Sequence, residues 1–518
     1  MQSVVAQSVE DFTPAEWERL FPGELEDWHY YRAIEQAGLA NFQWLYFAIR
    51  EGARLRALVP AFITDYHLDT TLSGPLRQVT RVLTRLFPRL LVQRLLSLGS
   101  PVAEVCNAGF DPDCSAAEQA QLLDRILQNV ESYASRHGIS MVAAKDASAA
   151  GDALWSAAAQ AHRLRRQPSL PTALLDLRFG SLDEYLASLS RATRKDLRRK
   201  LKACAAVRVE WRNNIDDIIG DVMRLYRATL VRAQFTFEEL TPAFFTGVLR
   251  ELGPRASCAT YWLDDRLIAF NLVLHDGTSL LDKFLGMDYA VARRYNLYYF
   301  SWLQNIRFAI EHGLVLYQSG QGLHREKLRL GSRFSVNWLW YRHRNRLLDH
   351  AFAAFERLFR MDRHDPELAA LLPPHPDTPE VRPAGARGST WLAWVSMIAL
   401  AGLSQISLKY AGLDTGAFDF SVAAFQRALA SPWLWISIGS HVGEFLVWIS
   451  ILRKSSLSAA FPTLAILFVG MIGAGWLLFG EAIGWSKIAG SLLILSGILL
   501  LGPDADDEVV QPEPARMP

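Results

Sequence analysis

Six cations recur at three- and four-residue spacing in one short stretch: Arg191, Arg194, Lys195, Arg198, Arg199 and Lys202. On a helix that spacing gathers them on one face, and Ser188 or Ser190 supplies the cap. Such a face suits the phosphates of a tRNA, a nucleotide or a phospholipid. Asp196 is the only acid among them, so mutual repulsion favours an anionic partner over a merely solvated face. A second run, 75–98, holds Arg77, Arg81, Arg85, Arg89 and Arg94 with no acid, and Pro88 interrupts any helix there. It reads either as an element lying on anionic lipid or as a core helix. His441 and Glu444 are three residues apart in an apolar segment, where an acid is expected to face a bundle interior or polar cavity and to serve a head group or a proton. The four cysteines, Cys106, Cys114, Cys204 and Cys258, lack metal spacing and read as reduced thiols, so no metal is expected. No G-x-S-x-G elbow is present.

These residues sit in a chain of two contrasting parts. Its 518 residues carry 54 Lys+Arg against 53 Asp+Glu, so any anion site is a local patch and not a property of the whole. Between residues 388 and 502 only nine side chains are charged. Four segments there, 391–408, 432–452, 457–480 and 484–502, each approach the ~20 residues that a bilayer requires. Arg382, Arg387, Arg453 and Lys454 favour both termini, and the front part, on the cytoplasmic side. The first residues carry early acids and no apolar core, unlike a signal peptide. The expected organisation is two α/β subdomains, 1–170 and 171–362, a Pro-rich linker 363–388, a four-helix transmembrane domain 389–503 and an acidic tail 504–518.

The two subdomains rest on an internal repeat. Residues 42–63 and 258–275 each read as an apolar run, a charged turn and a second apolar run, the pattern of a hairpin. Arg54, Leu55 and Ala57 correspond to Arg266, Leu267 and Ala269 at one common offset. The order of elements from 177 onward, closing on LYQSGQGLHREKLRLG, resembles the FemAB-type and BioF-like acyltransferase families. Their pattern of strand, Gly-containing turn, Lys and Gly falls on Tyr317, Gly320, Gly322, Lys327 and Gly331. The resemblance implies a GNAT fold, in tandem, and N-acyl transfer. Within it Lys327 is the candidate cation facing the developing oxyanion, and His324 a candidate base. Tyr317 is a hydrogen-bonding partner, and Asp282 and Lys283 point to opposite faces of one strand, with only one of them facing the cleft. The donor loop of the acetyl-CoA enzymes corresponds to residues 292–299, ARRYNLYY. It has no glycine for close backbone approach, but offers Arg293 and Arg294 to an anionic donor. This counts against acetyl-CoA and leaves another acyl-CoA or an aminoacyl-tRNA open.

The apolar part resembles four-helix members of the drug/metabolite transporter (EamA- and SMR-like) superfamily. Within that superfamily it resembles the small subunits that flip aminoarabinose-modified undecaprenyl phosphate. Gln405 with Lys409, Ala460-Phe461-Pro462 and Phe479-Gly480-Glu481 carry that likeness. With His441 and Glu444, the residues Gln405, Lys409 and Glu481 make up the expected transmembrane site, and because four helices are few for a transport path a homodimer is expected. The expectation is therefore a multi-pass protein of the bacterial inner membrane that acylates an amine of a membrane lipid or lipid-linked envelope precursor. The alternative is a transporter whose front half is a non-catalytic binding module.

Overall fold

The computed structural model describes residues 1–67, 92–148, 151–232, 237–359, 371, 388–415, 421–452, 484, 485 and 490. They divide into two units, Met1–Pro374 and His375–Pro518.

The first unit begins with β1 (Gln2–Ala6), α1 (Pro14–Leu20), α2 (Trp28–Gln36), β2 (Gln43–Glu51), β3 (Arg54–His67), β4 (Val92–Leu98) and β5 (Gly109–Phe110). It continues with α3 (Ala116–Arg136), β6 (Met141–Ser148), α4 (Asp152–Ala161), β7 (Arg165–Pro168) and β8 (Thr172–Asp176). Then come α5 (Leu182–Ser188), α6 (Arg191–Ala203), β9 (Val207–Arg212), α7 (Ile219–Leu230), α8 (Pro242–Leu252), β10 (Ala256–Leu263), β11 (Arg266–His275) and β12 (Ser279–Met287). It closes with α9 (Tyr289–Ala292), α10 (Leu297–Glu311), β13 (Leu316–Gln318), α11 (His324–Arg329), β14 (Arg333–Ser335), β15 (Asn337–His343) and α12 (Arg346–Phe359).

Both expected hairpins form, as β2–β3 and β10–β11, and both slip register at the same place. The shift lies between Ile49 and Arg50 in the first and between Tyr261 and Trp262 in the second. Strand periodicity explains their burial on two faces: Leu45, Phe47 and Ile49 enter one core cluster, Tyr46 and Ala48 another. The two sheets share one plan. The first runs β1-β2-β3-β4-β6-β15-β7 and the second β9-β10-β11-β12-β13-β8-β14. In each, four antiparallel strands are followed by one parallel pair, β4 with β6 and β12 with β13, joined through α3 and α10 respectively. The layer between them is shared: Tyr30 and Ile34 of α2 pack in one cluster with Phe244, Phe245 and Val248 of α8.

The sheets also exchange strands. β8 follows the first half of the chain but lies in the second sheet, and β15 follows the second half but lies in the first. Asn337 pins the crossing. It is 1% exposed, and its Nδ2 donates to Leu170 O at 3.1 Å and Thr172 Oγ1 at 2.8 Å. Its carbonyl accepts the N–H of Ser169 at 2.9 Å. One expectation is corrected here. Residues 92–98, the end of the arginine-rich run, form β4 between β3 and β6, with Leu96 and Leu98 fully buried, and are neither a core helix nor an interfacial element. Arg77, Arg81, Arg85 and Arg89 lie outside the described residues.

The second unit contains α13 (Gly388–Thr415), α14 (Val422–Ala430) and α15 (Pro432–Leu452). Among the described residues no helix is long and apolar enough to cross a membrane. The expected segment 457–480 and nearly all of 484–502 lie outside the described residues. Between α13 and α15 a small apolar cluster around Met397 and Ile451 is joined by buried serines. Ser404, Ser407, Ser437 and Ser440 are buried, and Ser437 Oγ donates to Ser404 O at 2.9 Å. Val395, Leu413, Trp435, Val442 and Phe445 are more than half exposed.

Candidate active site

The parallel pairing of β12 with β13 lasts three residues, ending at Leu281 and Gln318. Beyond it the two strands part, and polar side chains fill the wedge. β12 carries an irregularity there: Leu272 opposes Phe284 and Val273 opposes Asp282, so Lys283 is the extra residue. Asp282 and Lys283 point to opposite faces, and both are enclosed by polar partners.

On the α10 face, the Tyr317 hydroxyl donates to Asp282 Oδ2 at 2.8 Å. Asn305 Nδ2 reaches the same oxygen at 3.1 Å and the Tyr317 oxygen at 3.0 Å. Burial pushes the Asp282 carboxyl above the usual range, against the Tyr317 bond and the nearby Lys327 charge. Lys327 lies in the single helical turn and a half of α11, 4% exposed. Its ammonium donates to the carbonyls of Ser319 and Gly320, the latter at 3.0 Å. Those bonds use two of its three donors. Burial lowers its pKa to about 8, while Asp282 and Glu104 pull the other way. Several buried polar atoms near this group have no partner among the described residues: the Tyr298 hydroxyl, Asn305 Oδ1 and the hydroxyls of Ser319 and Ser332. Buried polar groups are nearly always paired, so these atoms have hydrogen-bonding capacity left over for a ligand or water.

On the other face, the Lys283 ammonium pairs with Glu26 and donates to Val102 O at 2.7 Å. The segment after β4 enters the wedge from the first half of the chain. Tyr30 OH also donates to Val102 O, at 2.9 Å, and Lys145 Nζ donates to Ala103 O at 3.3 Å. Glu104 then meets the Gly320 turn. Its Oε2 accepts Gln318 Nε2 at 2.6 Å and its carbonyl accepts Gln321 Nε2 at 3.2 Å. Gly320 has φ +76°, and a Cβ added there would stand 3.3 Å from Glu104 Oε1 and 3.9 Å from Lys327 Nζ.

Of the residues expected in the site, Asp282, Tyr317 and Lys327 come together. His324 stands one turn before Lys327, its ring 5.3 Å from that of Phe334. The cationic stretch is α6, capped by Ser190, whose hydroxyl accepts the Thr193 N–H at 3.2 Å. Arg191, Lys195, Arg198, Arg199 and Lys202 are exposed, and Arg194 donates to Ala187 O at 3.0 Å. Asp196 takes Arg199 at 2.7 Å, Lys200 at 2.9 Å and, from α11, Arg329 at 2.9 Å. The last bond ties the cationic helix to the one that carries Lys327. Arg293 and Arg294 are exposed in the turn before α10, where Asn296 takes a left-handed conformation with φ 45° in place of the missing glycine. In the second unit, Gln405 and Lys409 lie on α13, and His441 Nδ1 is 3.1 Å from Glu444 Oε2 on α15. Glu481 lies outside the described residues. Sequence reasoning missed Glu26, Glu104, Asn305 and Gln318. A single acid between Ala103 and Val105 in an apolar stretch was the only signal for Glu104.

Comparison with known proteins adds three findings. The FemAB-like family model, described as peptidoglycan biosynthesis/recognition, matches residues 8–365. A stretch of 116 residues is 33% identical to a probable 4-amino-4-deoxy-L-arabinose-phosphoundecaprenol flippase subunit ArnE of Pseudomonas savastanoi pv. phaseolicola, covering 22% of this chain and 99% of that protein. Among solved structures, FemX is similar with a TM-score of 0.45 and 11% identity, over 67% of this chain and 98% of FemX. A tandem GNAT protein from the clavulanic acid biosynthesis pathway has a TM-score of 0.40 and 13% identity, over 66% and 98%.

Proposed function

The chain belongs to the FemAB-like family, and from that premise we propose that it transfers an acyl or aminoacyl group to an amine of a lipid or lipid-linked precursor of the bacterial cell envelope. The observation that carries this reading is the buried lysine at the parting of β12 and β13. Among the described residues Lys327 spends two ammonium donors on backbone carbonyls and keeps the third, beside buried polar atoms that lack a partner, where it can face the oxyanion of a tetrahedral intermediate. Asp282, Tyr317 and Asn305 hold that cation's surroundings polar and fixed. The donor is an aminoacyl-tRNA or an acyl-CoA, with the cationic face of α6 and Arg293 and Arg294 as the surfaces that would receive its phosphates. On this reading the two sheets are two GNAT-like units in tandem, which their common strand plan supports.

The second unit is read as the ArnE-like part, a four-helix bundle of the inner membrane with Gln405, Lys409, His441, Glu444 and Glu481 around a head-group path, working as a homodimer. Two features support this. One is the likeness to the ArnE subunit. The other is the exposure of large apolar side chains on α13 and α15 beside buried serines, as a lipid solvent would favour. Holding the transferase beside its substrate raises their effective concentration.

The test is mass spectrometry of envelope lipids from cells that carry the wild-type chain, the Lys327→Ala chain or neither. An added acyl or aminoacyl mass in the wild type alone supports the reading. Equal product from Lys327→Ala overturns the catalytic role. With Glu444→Gln, unchanged exposure of product on the outer face would reduce the second unit to an anchor.

A further inference from the structure

We propose that Glu104, supplied by the first half of the chain, is the base that takes the proton from the attacking amine, so that the transfer centre is completed across the two halves. This rests on the acyl-transfer reading above. Glu104 is fixed at three points: Gln318 holds Oε2 at 2.6 Å, Gln321 holds the carbonyl at 3.2 Å, and the N–H donates to Glu26 Oε2 at 3.3 Å. Its other carboxylate oxygen accepts no hydrogen bond from the described residues. That oxygen and Lys327 Nζ both lie within 4 Å of one point, 3.3 and 3.9 Å from where a Cβ on residue 320 would stand, yet they form no ion pair with each other. A single carbon at the Cβ position of residue 320 would therefore touch both the acid and the cation.

Other candidates are already engaged. Asp282 Oδ2 takes both Tyr317 and Asn305. His324 packs beside Phe334 at the head of α11. The charged groups that face Glu104 are Lys283 and Lys327, which favour its ionised form, and Glu26, which opposes it. Burial outweighs them and pushes the carboxyl up to about 6, nearer to the working pH of a general base than an ordinary glutamate.

The step balances as follows. The neutral amine nitrogen attacks the carbonyl carbon of the acyl donor, forming the C–N bond and placing the carbonyl electron pair on oxygen, opposite Lys327. Glu104 takes the proton from nitrogen. Collapse of the intermediate breaks the C–O or C–S bond to the donor, and that leaving group receives the proton from Glu104. The products are an amide and a free alcohol or thiol.

The experiment uses membranes from cells making the full chain, incubated with radiolabelled amino acids charged on tRNA in one arm and radiolabelled acyl-CoA in the other, from pH 5.5 to about 9.5. The wild type is expected to label lipid from one donor, with a rate that falls below a pH of about 6. Glu104→Gln is expected to lose about 100-fold near neutrality and to regain rate relative to the wild type as pH rises, as hydroxide replaces the missing base, although both lose the Lys327 charge above a pH of about 8. Glu104→Asp is expected to recover part of the rate. A Glu104→Gln profile parallel to that of the wild type, at full or reduced height, overturns the assignment because a merely structural role does not change the pH dependence. No labelling by the wild type from either donor defeats instead the acyl-transfer reading on which the assignment stands.

Discussion

Replacing Glu104 by glutamine should stabilise the protein while disabling it. Desolvation raises the carboxyl from 4.5 to about 6, so the folded state holds the proton more tightly than the unfolded chain does. For an acid raised in this way, stability falls as pH rises through the unfolded value. The penalty is complete above the folded value. A shift of that size corresponds to about 2 kcal/mol at neutral pH. The amide keeps the shape and can still accept from Gln318 through its oxygen, but carries no charge to desolvate. Urea unfolding of the purified full-length protein in detergent, followed by tryptophan fluorescence, measures this directly. Glu104→Gln should gain about 2 kcal/mol at pH 7.5, and the gain should vanish near pH 4, where the wild-type carboxyl is protonated in both states. Destabilisation at pH 7.5, or a gain that persists unchanged at pH 4, would refute the reasoning. Stability surrendered at a reactive group is a common feature of active sites.

Three further outcomes follow from the same geometry. Lys283→Met strands Glu26 and removes a cation facing Glu104, and should destabilise by about 3–5 kcal/mol in urea unfolding, with much of the loss recovered by adding Glu26→Gln. A loss under about 1 kcal/mol would mean that the pair is not buried as described. Asn337→Ala leaves Leu170 O and Thr172 Oγ1 without their donor at the strand crossing and should cost about 1–3 kcal/mol, read from the same unfolding curves. Because the Lys327 ammonium loses its proton as pH passes about 8, the wild-type transfer rate should decline above that pH, whereas the residual rate of Lys327→Ala should show no such decline.

The legible parts of this fold were those set by local periodicity. Alternating apolar residues in 42–63 and 258–275 dictate strands, and the charged turns dictate hairpins; their shared register shift strengthens the correspondence of Arg54, Leu55 and Ala57 with Arg266, Leu267 and Ala269. The spacing of the cations on α6 and its serine cap were legible for the same reason. β4 was not. Its arginine neighbours suggested a surface element, while its own Leu96 and Leu98 are core, and pairing with distant β3 and β6 decides the matter. The exchange of β8 and β15 has no local signal, because a short apolar strand fits either sheet and only the partner at long range selects one. The site divides similarly. Lys327, Tyr317 and Asp282 lie on elements whose pattern pointed to them. Glu104 and Glu26 lie on connections, where no period exists, and only their long-range pairing with Gln318, Gln321 and Lys283 places them in the site.

The most direct test of the central claim is the linkage made by the purified full-length protein in vesicles of bacterial inner-membrane lipid, supplied with a labelled aminoacyl-tRNA or acyl-CoA. Transfer to an amine yields an amide, so the label should remain on lipid through mild alkali and fall to a small residue when Lys327→Ala replaces the wild type. Label released by mild alkali, which marks an ester, or equal label from the Lys327→Ala protein, would contradict it.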